Sequence, residues 1–187
     1  MKFGTMFIKD LTFDICDAMI SGEITENGEC LLGIDIYAAT ENSVQNWKPH
    51  AYLQKLPCHG RSLKELCASP IQIPSGATFC ENRILPGCKL CCLYVDEHTW
   101  IDDSIIHLSA INHRWLDLNW TAKCAVNFDE QYGKNLPLII RTPAEFLGLS
   151  VPEITESKAM TLLTKYFSID GLKFHRESGN SYFLPAD

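Results

Sequence analysis

Trp115-Leu116-Asp117-Leu118-Asn119-Trp120-Thr121-Ala122-Lys123 is the stretch on which the fold turns. Leu116, Leu118, Trp120 and Ala122 alternate with Asp117, Asn119, Thr121 and Lys123. Successive side chains on a strand point to opposite faces, so this pattern makes one dry face and one wet face. A helix would scatter the same residues around its circumference. A sheet packed on one side and solvated on the other is the habit of antiparallel β-structure.

The neighbouring stretches agree. Thr78–Leu85 and Lys89–Val95 read as strands flanking the turn signal Pro86-Gly87, and Ile105–Ile111 follows the polar stretch Asp96–Asp103. Leu136–Arg141 reads as a further strand after the loop Asn127–Asn135. Near the start, Leu11, Phe13 and Ile15 alternate with Asp10, Thr12 and Asp14. Asn27-Gly28 suits a type I′ turn between Ala18–Glu26 and Glu29–Ala38. A two-residue loop there sets Ile24 opposite Leu31 and Gly22 opposite Gly33, and facing glycines call for a bulge or a crossing neighbour. Trp47–Gln54 reads as a strand that Pro49 confines to an edge or a strand start. Ser62 and Glu65 form a capping box, which predicts one or two helical turns over Ser62–Cys67. About eight strands at short spacing predict an antiparallel β-sandwich or barrel-like sheet over residues 1–142.

Residues 143–187 read differently, as a small α+β appendage of helix and hairpin docked on that sheet. Thr142-Pro143-Ala144-Glu145 has an N-cap, a proline at the first helical position and a glutamate three residues on, and Ser150 with Glu153 repeats the spacing. Ala159, Met160, Leu163, Tyr166 and Phe167 share one helical face. Leu172–Arg176 and Tyr182–Leu184 predict a hairpin turning at Ser178-Gly179-Asn180. The segment holds four Lys and Arg against six Asp and Glu, so a winged-helix DNA reader lacks its electrostatic footprint.

A chain of 187 residues suffices for one well-cored domain. Its net charge of −7 disfavours phosphate backbones and anionic lipid and favours a basic protein partner. Lys9 and Asp10 interrupt the apolar N-terminal run before a secretory core forms, so a cytoplasmic location with reduced thiols is expected.

Cys88 and Cys91 have the spacing of one zinc-ligand pair, but Cys58, His59, Cys67, Cys80 and Cys92 supply no regular second pair. Cys91 and Cys92 would point to opposite faces of a strand. Buried packing is the expectation for these thiols, with no metal and no cofactor. Cys58 beside His59 carries no flanking motif of a catalytic thiol.

Walker, dinucleotide-binding, G-x-S-x-G and H-E-x-x-H patterns are all missing from the sequence. Two acidic stretches remain, each read as a loop that mixes carboxylates with aromatics. One holds Asp96, Glu97, Trp100, Asp102 and Asp103; the other holds Asp129, Glu130 and Tyr132. These eight residues are the expected partner-binding surface, although Phe128 and Tyr132 also suit plugging the end of the sheet. The leading expectation is a non-enzymatic protein-binding module, in one form a bacterial immunity-type inhibitor that masks a basic toxin. The alternatives are a hydrolase or metal-dependent enzyme using Asp96, Glu97, His98, Asp102, Asp103 or His107 in a cleft, and a structural subunit of a homo-oligomer.

Overall fold

The computed structural model describes residues 4–25, 27, 29–39, 48–57, 62–77, 90–95, 97–127, 130–152, 155–177 and 180–186. Those residues form eleven strands and two short helices. In chain order they are β1 (Gly4–Ile8), β2 (Leu11–Ile24), β3 (Cys30–Ala38), β4 (His50–Pro57), α1 (Leu63–Leu66), β5 (Ile71–Ile73), β6 (Cys91–Tyr94), β7 (His98–Ala110), β8 (Trp115–Val126), β9 (Gly133–Val151), α2 (Glu156–Leu163), β10 (Leu172–Glu177) and β11 (Asn180–Pro185). Neither helix is long and apolar enough to cross a membrane.

The strands make one sheet in the order β1-β2-β3-β4-β6-β7-β8-β9-β11-β10, with β5 beside β7. β9 then returns to pair with β1 antiparallel and with β2 parallel, which curls the sheet into an unevenly closed, barrel-like ring. The mainly antiparallel β-architecture expected from the alternation is therefore present.

Its interior is built in rungs. Phe13, Met6, Ile140, Trp120 and Ile106 are successive cross-strand partners, and Ile20, Ile34, Leu53 and Cys91 form another run. All nine are buried to within 2% of complete. Cross-strand neighbours on one face are the unit of sheet stability, and here they meet around the ring. Cys30 and Cys124 join this interior, and burial pushes the Cys91 and Cys124 thiols up to about 12.

The N-terminal hairpin departs by one residue from the register expected at Asn27-Gly28. Ile24 faces Cys30, Gly22 faces Leu32 and Gly33 faces Ser21. Thr25 N–H donates to the Glu29 carbonyl, so this pair closes a three-residue connection rather than a two-residue turn. The pair of facing glycines on which a bulge or a crossing neighbour was expected does not form, but β9 does run alongside β2 here. The ladder to β9 shifts between Ile20 and Ser21, and Leu149 packs where a Gly22 Cβ would stand. The part of Ala18–Glu26 up to Ile24 is also continuous with the residues before it, as the single strand β2.

The larger correction concerns Thr142-Pro143-Ala144-Glu145, read from its capping pattern as a helix start and found in the middle of β9. Leu138, Ile140, Thr142, Ala144 and Phe146 are buried on alternate positions, so a two-residue period governs the segment. Pro143 is tolerated because the β1 ladder ends at Arg141 and the β2 ladder begins at Glu145, which leaves no partner from either strand at that position. β9 thus runs unbroken through 142/143, and β11 hydrogen-bonds to its far end at Leu149–Val151.

Ser150, read as a second helix cap, is likewise a strand residue of β9, opposite Tyr182, and Glu153 lies outside the described residues. The remaining helix and hairpin readings hold. Ser62 Oγ accepts the Glu65 N–H at the start of α1. α2 begins at Glu156, after Thr155, and buries Ala159 and Leu163, with Phe167 buried just beyond it. The C-terminal hairpin closes at Glu177 and Asn180. The strand predicted over 78–85, the Pro86-Gly87 turn and the cysteines Cys58, Cys80 and Cys88 lie outside the described residues.

Candidate functional site

The stretch Asp96–Asp103, read as a polar loop, is mostly strand. β7 begins at His98 and buries Thr99 and Ile101 in the interior, while His98, Trp100 and Asp102 take the outward positions. The charges hid a two-residue period that only Thr99 and Ile101 mark. Trp100 is thereby fixed on a rigid strand.

Around it lies an aromatic face. The pairings of β3, β4, β6 and β7 bring outward side chains into two cross-strand rows. Asp35, Tyr52, Cys92 and Trp100 make one row; Tyr37, His50, Tyr94 and His98 make the other. Tyr37 and His50 stack with centroids 4.0 Å apart and planes 11° apart. His50 lies 4.9 Å from Tyr52, and His98 lies 4.9 Å from Tyr94. Tyr52 Oη stands 3.2 Å from His98 Nδ1, which links the rows. Cys92 is buried beneath its neighbours, on the opposite side of β6 from Cys91 as the alternation requires. Tyr37, Tyr94 and Trp100 remain 37%, 39% and 40% exposed.

Carboxylates border this face. Asp35 Oδ1 is 3.0 Å from His50 Nε2. Asp17 stands opposite Tyr37 on β2. The Tyr37 phenol is held above its ordinary value, by burial first and then by the negative charges of Asp35 and Asp17. Glu97 sits in the turn between β6 and β7.

The remaining residues expected at a partner surface separate. Asp102 and Asp103 do structural work at a bulge: Asp102 Oδ1 accepts the Gly76 N–H at 3.2 Å, and Asp103 Oδ1 accepts the Ser75 N–H at 3.2 Å. Lys123 Nζ donates to Asp103 Oδ2 at 2.8 Å, which holds the Asp103 carboxyl below its ordinary range and the Lys123 ammonium above its own. Glu130 is exposed in the β8–β9 loop, at the same end of the ring as Glu97, because Ile101 near the start of β7 faces Cys124 near the end of β8. Tyr132 is 8% exposed and belongs to the core, with Lys9 Nζ 5.3 Å from its ring centroid. It closes the ring end and is not on the surface. Asp96 and Asp129 lie outside the described residues.

Among the described residues, the carboxylates and histidines of the enzyme reading lie at separate places. His98 faces Tyr52, Asp102 and Asp103 hold the 74–77 turn, and His107 is exposed opposite Asn119. Among the described residues no three His, Cys, Asp or Glu side chains gather as a metal centre requires.

Tyr37, His50, Tyr52 and Tyr94 were missed as site residues. The signal was present as Tyr37 and the alternating pair His50 and Tyr52, but which strands neighbour one another is a property of the closed ring. Comparison with models of protein families, with curated proteins and with solved structures finds no match.

Proposed function

We propose that this protein is a binding module that grips a basic protein segment with the outer face of β3, β4, β6 and β7. The observation that carries the reading is the clustering of Tyr37, Tyr94 and Trp100, all exposed, with His50 and His98 on one rigid face. Exposed aromatics in a contiguous patch are the usual anchors of protein recognition. Tyr and Trp faces attract Arg and Lys side chains, and Asp35, Asp17 and Glu97 supply the opposite charge at the border. The net charge of −7 steers a cationic partner toward the molecule. In its narrowest form the proposal is an immunity-type inhibitor that masks a basic toxin.

The test is a titration with an arginine-rich peptide and a glutamate-rich peptide of equal length, followed by tryptophan fluorescence at low and high salt. The basic peptide should quench Trp100 saturably and lose affinity with salt, and the acidic peptide should do neither. Trp100→Ala with Tyr37→Ala, read by isothermal titration calorimetry, should weaken binding by about ten-fold or more. Unchanged affinity in that double variant, or self-association of the wild type through this face in sedimentation, overturns the proposal.

A further inference from the structure

We propose that a concavity next to the aromatic face, on the same outer side of β3, binds a small amphipathic amine. β4, β3, β2, β9, β11 and β10 are consecutive neighbours, and the C-terminal hairpin of β10 and β11 overhangs the outer wall made by the others. The cleft between them has a volume of about 610 Å³. That lies inside the range of roughly 300–1,000 Å³ typical of small-molecule sites.

Its surface is apolar where a hydrocarbon or aryl body would lie. Leu31 on β3, Leu147 on β9 and Leu184 on β11 line it, and Leu147 is 41% exposed there. Gly33 adds to the space. A Cβ built at Gly33 would meet Ser21 Oγ at 3.4 Å and the Leu53 carbonyl at 3.6 Å, which are ordinary contacts. Packing beneath the strand therefore does not require glycine at this position, and the missing side chain enlarges the cleft. The other two lining glycines differ: a Cβ at Gly22 would collide with Leu149, and one at Gly148 with the Phe183 backbone.

The charge of the walls selects the sign of the ligand. Glu23 and Asp35 on the barrel wall and Glu177 on the hairpin line the cleft with one lysine, Lys55, and one histidine, His175, and Asp35 also lies 3.0 Å from His50 Nε2. Lys55 Nζ is 4.0 Å from Glu23 Oε1, and His175 Nε2 is 4.0 Å from Glu177 Oε2. An ammonium entering between the two walls meets carboxylates from both sides. Charges this exposed attract weakly in water, so the apolar body supplies most of the affinity and the amine supplies the discrimination. This inference does not rest on the partner-binding face, although Asp35 borders both.

The experiment titrates the full chain with three fluorescent probes that share one aryl group: dansylcadaverine (a primary amine), dansylamide (neutral) and dansylvaline (an anion). Dansylcadaverine should bind saturably and about ten-fold more tightly than either of the others. Gly33→Val, which fills the cleft, should weaken dansylcadaverine by about ten-fold while the thermal midpoint holds. Glu177→Gln alters a side chain that is 73% exposed and leaves folding intact. It should reduce the preference for amine over amide about three-fold without changing dansylamide binding. Absence of saturable binding, equal affinity for the three probes, or equal binding by folded Gly33→Val overturns the proposal. If Gly33→Val unfolds, an unchanged amine preference in Glu177→Gln overturns it alone.

Discussion

The indole Nε1 of Trp120 donates to Ser104 Oγ at 3.0 Å, with both side chains sealed inside the ring. Trp120 lies at the centre of a core rung, and Ser104 reaches it because the bulge between Asp102 and Ile105 turns that residue inward. Asp103 absorbs the distortion with φ +51°. Ser104→Ala strands a buried N–H, and the cost should be about 1–3 kcal/mol. Urea denaturation checks it. Trp120→Phe added to Ser104→Ala should cost less than the sum of the two single changes, because it removes the stranded donor.

Alkali should weaken the fold through its thiols. Burial lifts Cys91 and Cys124 from an ordinary value of 9.0 to about 12. Above pH 9 the unfolded chain gives up these protons while the native state keeps them, so stability falls as pH rises from about 9 toward 12. Urea midpoints measured from pH 8 to 10.5 should decline, and Cys124→Ala should decline less steeply than wild type.

The same burial predicts a labelling order. Cys16 is exposed on β2, whereas Cys91 and Cys124 are interior. Brief iodoacetamide treatment at pH 8 should modify Cys16 and leave the two interior thiols untouched until urea is added. Peptide mapping by mass spectrometry reads the outcome.

Glycines in the cleft wall should differ sharply in tolerance. Gly148 has φ +101°, and a Cβ there would drive into the Phe183 carbonyl that docks β11 on β9. Gly148→Ala should cost about 2–4 kcal/mol by combining backbone strain with a steric clash. Gly33→Ala meets only ordinary contacts and should be neutral or stabilise by up to about 1 kcal/mol. Thermal denaturation of the two variants separates them.

Alternation along Leu116–Lys123 was enough to predict β8, while the strands read over Glu29–Ala38 and Leu136–Arg141 cover β3 and a part of β9. It failed where a local signal competed with a distant one. Thr142-Pro143-Ala144-Glu145 satisfies a capping rule, yet its neighbours β8, β1 and β2 impose strand geometry from far along the chain. Asn27-Gly28 suggested a two-residue turn, while the pairing of Ser21 with both Gly33 and Gly148 sets a different register. Of the candidate site, Trp100 and Glu97 were legible because an aromatic among acids is unusual. Tyr37, His50, Tyr52 and Tyr94 were not, because each looks ordinary until β3, β4, β6 and β7 lie side by side.

β9 touches β8, β1, β2 and β11, and it spans Gly133–Val151. Two of these partners, β1 and β2, wait on a segment synthesised late. A nascent chain that ends before residue 133 holds β1 and β2 with bare backbone donors and acceptors, which invites intermolecular pairing. Joining Thr5 to Arg141 closes a loop of more than a hundred residues, so sealing the ring is an entropically slow step in this molecule's maturation.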